Sequence, residues 1–408
     1  MEIKTKKILI DFGIRYTKVG FLGESEPIKI LQTPSLINLE EYFQDKPENL
    51  NILSSVNKSF QIKLEIEEFS STIINDVLLI YKADNKYNYC CYILFDLDLK
   101  EYFKDILTSF VKYIYETFTF IISIKIIPNN IFPIFVSGFY NGIILHCGYL
   151  FSTITVVNNG LKVVSKKTGF GSCDMQKMIY NIIINDVANG KNGNKIDEKK
   201  LEILKKNLAK YIDDLMVRIS YILNRKVSQE YKQIIKGEEP KEKENHFKIM
   251  LYEDLPKFKI NFNTRVVVGE KLFEENSNCN FAYLILKTLA ENVPCEIRRK
   301  IGSNIILSGG LTMLEGFFQR FLDELNFIVD NNQEFKKLKG IRNDLRVHKI
   351  IYPRNILTWV GASLFFGNNK STYPENEINR EFLDDEKKNM SKKIDIDELN
   401  KIFDNLKI

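Results

Sequence analysis

Residues 305–317, IILSGGLTMLEGF, combine types that could do chemistry. A short apolar run ends at Ser308, Gly309 and Gly310, and a helix-like pattern starts at Thr312. Glycine has no Cβ to hold a ligand off, so a strand, a glycine turn and a helix in succession bring backbone N–H groups close to an anion, such as a nucleotide phosphate. The same residues also suit a tight strand-to-helix turn with no ligand. Residues 7–23, KILIDFGIRYTKVGFLG, read as a buried strand, an Asp-x-Gly turn at Asp11 and Gly13, and a second strand with Lys18 inside it. Residues 143–157, IILHCGYLFSTITVV, repeat that strand–turn–strand pattern around His146 and Gly148.

Such hairpins have to be carried by sheets. One early in each half of the chain implies a duplicated, two-lobed α/β fold. The helices between them fit this plan. In residues 96–118, Asp98 is a candidate cap, while Leu99, Phe103, Ile106, Phe110 and Ile114 recur on one face. Residues 198–224 read as one long helix decorated with Lys and Glu. The preceding loop NGKNGNK lacks the Gly-Lys-Ser/Thr ending of a phosphate loop and follows no strand, so it reads as a surface turn. GFGSCD at 169–174 has two glycines of a dinucleotide fingerprint and no third, and reads as a tight turn.

Bulk properties exclude several classes. A chain of 408 residues can build two cores. The net charge of +5 is dispersed and forms no single basic face, which argues against nucleic acid as a partner. The apolar residues 118–145 are interrupted by Lys125, Pro128, Asn129, Asn130 and Pro133, which suits a buried strand, turn and helix better than insertion into a membrane. The six cysteines show no two-residue gap of a zinc or redox motif, and the start of the chain lacks the apolar core of a signal peptide. A reducing compartment, cytosolic or nuclear, is the expectation.

Taken in order, these residues resemble the actin family within the actin, Hsp70 and sugar-kinase superfamily. IDFGIRYTKVGFLGE resembles its first phosphate loop, ILHCGY its second, NIILSGGLTMLEGFFQRFLDEL its adenosine motif, and PRNILTWVGASLF its Trp-containing C-terminal segment. Order and spacing agree over residues 5–367. The resemblance implies an actin-like two-lobed fold with duplicated mixed-sheet ATPase subdomains of the ribonuclease H-like kind. Residues 1–145 would form the first lobe, with a shortened, divergent subdomain around 36–88. Residues 146–367 would form the second, with a divergent insertion around 190–257 and a return of the chain to the first lobe near 350–367; 368–408 would be an extension.

The same resemblance implies a site for ATP or ADP with Mg²⁺ as a structural ligand, although the cleft could also stand empty. Asp11, Gly13, Lys18, Gly148, Gly309, Gly310 and Thr312 would form it. Asp11 would help hold the metal through water and Lys18 would contact phosphate. Several family positions are changed. His146 stands where the family has a metal-facing aspartate, and Asn129 where it has the glutamine that places the attacking water. Met216 and Val217 replace a lysine and a glutamate that contact base and ribose. In-line phosphoryl transfer needs a placed nucleophile and a neutralised phosphate, so weak or lost hydrolysis is expected.

The segment between Pro34 and residue 89 is short and has no counterpart of the loop that actin inserts into its neighbour. With FAYLILKTLAENVPCEIRRKIGSNIILSGG and the charged EFKKLKG, it resembles the pointed-end actin-related subfamily of dynactin. This implies actin-related filament subunits and pointed-end complex proteins as partners, and a place on the cytoskeleton. A nuclear scaffold in a chromatin-remodelling complex and an active ATPase or kinase are the alternatives. Phe135, Tyr140, Trp359 and Phe365 would lie near the cleft that receives a neighbouring subunit; Trp359 suits the core better, and Phe365 is the better interface residue. Leu399, Ile402, Phe403 and Leu406 form an apolar stripe that would dock on a partner or on the chain's own lobe.

Overall fold

The computed structural model describes residues 5–34, 36, 43, 60–80, 87–191, 196–237, 248–274, 280–368 and 377–379. The chain forms two compact units. The first comprises Met1–Asn38, Asn51–Phe139 and Ile356–Ile408, and the second Leu39–Leu50 and Tyr140–Asn355. The apolar stripe at 399–406 lies outside the described residues, as does most of 36–59.

The first unit is built on a sheet of β1 (Thr5–Asp11), β2 (Tyr16–Phe21), β3 (Lys29–Gln32), β4 (Asn88–Phe95), β5 (Ile121–Pro128) and β12 (Glu377–Asn379), in the order β12-β5-β4-β1-β2-β3. β1, β4 and β5 run parallel, and β2, β3 and β12 are antiparallel to their neighbours. A parallel strand covered on both faces reads as a continuous apolar run, and Ile8, Leu9 and Ile10 are fully buried. Helices α1 (Phe60–Ile80), α2 (Lys100–Thr117) and α10 (Leu357–Asn368) complete the unit, with a 3₁₀ turn at Phe132–Ser137.

Phe103, Ile106, Phe110 and Ile114 of α2 are buried at the spacing expected of one helix face. Asp98 does not cap this helix. It lies in a 3₁₀ turn, Leu97–Leu99, that pushes the helix start to Lys100, and the carboxylate that closes the turn is Asp96, which accepts from the Asp98 N–H at 3.0 Å. Residues 118–145 form β5, the 3₁₀ turn and the start of β6, so a second strand stands where a helix was expected. Among the described residues no helix is long and apolar enough to cross a membrane.

The second unit has a sheet ordered β11-β6-β7-β8, from β6 (Gly142–Cys147), β7 (Ser152–Asn158), β8 (Leu161–Thr168) and β11 (Ile305–Ser308), plus the pair β9 (Lys248–Met250) and β10 (Phe258–Ile260). Its helices are α3 (Ser172–Ala188), α4 (Glu198–Ile219), α5 (Arg225–Gly237), α6 (Phe262–Lys271), α7 (Phe281–Asn292), α8 (Cys295–Gly302) and α9 (Phe317–Asn331). The long helix expected over 198–224 stops at Ile219. Beyond it the chain peels away in extended form to pack on the turn before α9: the Ile222 N–H donates to Glu315, and a Cβ on Gly316, whose φ is +85°, would sit 1.9 Å from the Ile222 carbonyl oxygen. That contact also moves the next helix, because Gly310–Met313 is a 3₁₀ turn and α9 begins only at Phe317.

An ion cluster is buried behind these helices. Arg320 donates to both Glu270 and Glu324 and to the Leu223 carbonyl, and the Arg225 guanidinium lies 3.4 Å from Glu324. Two guanidinium groups facing two carboxylates leave no net buried charge. Removing one partner of such a set costs about 3–5 kcal/mol.

Candidate nucleotide site

In open α/β sheets, ligands collect outside the carboxyl ends of parallel strands. In the first unit that edge carries the ends of β1, β4 and β5. Asp11 is 3% exposed and accepts from Lys18 Nζ at 2.9 Å, the two being direct cross-strand partners in the β1–β2 hairpin. The hairpin tip is fixed from within: a Cβ on Gly13 would lie 2.4 Å from the Tyr16 carbonyl oxygen. It is also braced by Thr33, whose hydroxyl donates to the Gly13 carbonyl at 2.7 Å and lies 2.9 Å from that of Thr17. Asn129 is on the same edge, just past β5, and its N–H donates to the Phe95 carbonyl at 3.2 Å. Asp11, Gly13, Lys18 and Asn129 therefore share one edge.

In the second unit the parallel pair β6 and β11 sets Ser308 opposite His146. His146 Nδ1 lies 3.1 Å from Ser308 Oγ. Gly309 has φ of +94°, its N–H donates to the Arg354 carbonyl at 2.9 Å, and a Cβ there would fall 2.1 Å from the Cys147 carbonyl oxygen. Gly310 is different: it is exposed, and a Cβ would meet nothing within 4 Å. Only the second glycine faces open space, whereas the first is demanded by the chain's own packing. Gly148 closes the β6–β7 turn, with its N–H on the Phe151 carbonyl at 3.1 Å. Thr312 is fully buried and donates to the Gly309 carbonyl at 2.7 Å, so it caps the turn and does not face a ligand.

Burial pushes the Cys147 thiol up to about 12, which makes it inert beside this turn. Met216 is buried on the last turn of α4 and Val217 is 72% exposed; neither side chain offers an N–H or O–H. Sequence reasoning missed two supports. Thr33 stands 20 residues from the carbonyl it holds, with no local signal. Arg354 sits inside the quoted Trp-containing segment; its guanidinium donates to the Thr312 carbonyl and lies 5.2 Å from the Phe318 ring centroid, and burial lowers its pKa.

Of the aromatic residues expected at an interface, Phe135 and Phe365 are both half-buried in the first unit, their ring centroids 4.7 Å apart. Phe132 and Phe366 lie behind them. Tyr140 belongs to the second unit and is 54% exposed. Trp359 is core: it is fully buried and donates to the Leu9 carbonyl at 3.1 Å.

The donor set fits a phosphate better than a metal. Magnesium takes oxygen ligands, yet the first edge supplies one carboxylate already tied to Lys18, and the second supplies an imidazole. Among the described residues no group of three His, Cys, Asp or Glu side chains could hold a metal ion.

The sequence model of the actin family matches residues 108–389, more than half of the chain. The chain belongs to the actin family. It is an actin-related protein with the actin fold, and its two mixed sheets are those described above. It is 23% identical over 409 residues to actin-related protein 10 of Dictyostelium discoideum, an alignment covering 88% of this chain and 82% of that protein. It is 32% identical over 120 residues to putative actin-29 of the same organism, covering 29% of this chain and little more than a quarter, 28%, of that relative.

Proposed function

We propose that this actin-related protein is a non-enzymatic subunit that caps the pointed end of the short actin-like filament in dynactin, and so supports dynein-driven transport along microtubules in the cytoplasm. The observation that carries this reading is the near full-length similarity to actin-related protein 10. It is supported by the altered positions His146, Asn129, Met216 and Val217, which remove groups that hydrolysis needs and leave ATP or ADP as a structural ligand. The half-buried Phe135–Phe365 pair suits the contact with a neighbouring filament subunit, since aromatic anchors dominate such contacts.

A native pull-down of the tagged chain from its own cells, read by mass spectrometry, tests this. Recovery of a filament-forming actin-related protein with capping protein and dynactin shoulder components is the expected result. Recovery of a remodelling helicase instead would make the chain a chromatin scaffold and defeat the dynactin reading.

A further inference from the structure

The charged run EFKKLKG takes no part in the nucleotide site. It lies in a 3₁₀ segment, Gln333–Asp344, where side chains three residues apart stand on one edge. One edge is buried. Phe335 meets the Tyr283 ring edge-on with centroids 5.3 Å apart, Leu338 is fully buried, and Ile341 lies 3.7 Å from where a Gly302 Cβ would stand. This anchoring leaves Lys336, Lys337 and Lys339 exposed. The carboxylates around them are already engaged. Asp330 accepts from Arg342 Nε at 2.6 Å and Nη2 at 2.8 Å, Glu334 accepts from the Tyr283 hydroxyl at 2.8 Å, and Asp344 lies 3.0 Å from Arg299 Nε. The Arg342 hydrogen bonds, with a smaller contribution from the charge of Lys339, hold the Asp330 carboxyl below its ordinary value. Among the described residues, Lys336, Lys337 and Lys339 make no hydrogen bond or ion pair.

We propose that this segment docks an extended acidic stretch of a partner protein, with carboxylates at alternate positions on Lys336 and Lys339 and the chain passing Lys337 over Gly340. Lys336 and Lys339 are three residues apart on a 3₁₀ segment, a rise of about 6 Å. Alternate side chains of an extended chain repeat at about 6.6 Å, so the spacings match. Gly340 leaves room beside Lys337, since a Cβ there would meet nothing within 4 Å. A nucleic acid or an anionic lipid surface would run on past the lysines and meet Glu334 and Asp344 near the two ends of the segment, whereas a short acidic stretch fits between them. This docking depends neither on dynactin nor on nucleotide.

The test is fluorescence anisotropy of the full chain, at low salt, with a labelled synthetic peptide of about ten residues in which Glu and Thr alternate. The expected result is saturable binding that fades as salt rises to about 0.5 M and is lost when the peptide carries Gln in place of Glu. Lys336→Glu combined with Lys339→Glu weakens binding by about tenfold or more, as two attractions become repulsions. Lys199→Glu combined with Lys206→Glu makes the same change in net charge on exposed positions of α4, and binds within about threefold of the unaltered chain. No binding by the unaltered chain, or equal weakening by the two double variants, would overturn the proposal. Tighter binding of a single-stranded RNA of the same charge, lost in the Lys336→Glu, Lys339→Glu chain, would make the segment a nucleic-acid surface and overturn it as well.

Discussion

Neighbouring glycines can be kept for opposite reasons, and Gly309 and Gly310 separate the two. Gly309→Ala drives a methyl into the Cys147 carbonyl at a left-handed backbone angle, and is expected to cost about 3 kcal/mol or more in chemical denaturation. Gly310→Glu meets open space, so the nucleotide-free protein should melt as the unaltered chain does while the shift in Tm given by added ADP disappears. If the purified chain carries no nucleotide and ADP shifts neither protein, the reading of ADP or ATP as a structural ligand is wrong. The buried thiols make a second case. Burial raises the pKa of Cys91, Cys147 and Cys173 above the ordinary value of 9.0. Unfolded thiols lose their protons first as pH rises, so this contribution to stability is whole below about pH 9 and falls toward about pH 12, where Cys147 itself ionises. Denaturation midpoints taken across that range check the slope. At neutral pH a thiol reagent should modify exposed Cys295 well before these three.

Elements here are set by contacts that skip along the chain. Trp359 of α10 ties the C-terminal segment to β1 through the Leu9 carbonyl, and it fills the space that a side chain on Gly20 of β2 would need, 2.7 Å from an added Cβ. Trp359→Ala is expected to cost about 3–5 kcal/mol, read as a lower urea midpoint. The sequence made the strands and hairpins legible, because Ile8–Leu9–Ile10 and Ile143–Ile144–Leu145 are apolar runs ending in turn residues. Helix ends were less legible. The breaks after Ile219 and before Phe317 come from one close approach of Gly316 to Ile222, two positions far apart in sequence that no local periodicity links. Likewise Asp98 has the right type for a cap, but the 3₁₀ turn gave the bonding to Asp96. At the site, glycines and charges could be read from pattern, whereas Thr33 and Ser308 acquire their roles only once strands lie side by side.

At the scale of the whole molecule, the proposed function makes contact with neighbouring subunits the chain's work. Phe365→Asp places a charge on a half-buried, tilted ring pair, and should abolish co-purification of other actin-related subunits while leaving far-ultraviolet dichroism unchanged. Loss of the folded signal would instead make Phe365 a core residue. The extension that follows α10 returns at Glu377–Asn379 to run antiparallel along β5, with Ile378 opposite Ile124. Without it, β5 would be the last strand of its sheet, and its outer hydrogen-bonding groups would be a template for any other extended chain. A protein shortened to end at residue 368 should therefore self-associate in a concentration-dependent way, visible by light scattering. The few residues of that returning strand act as a selvedge, the bound margin that keeps a woven sheet from joining the next.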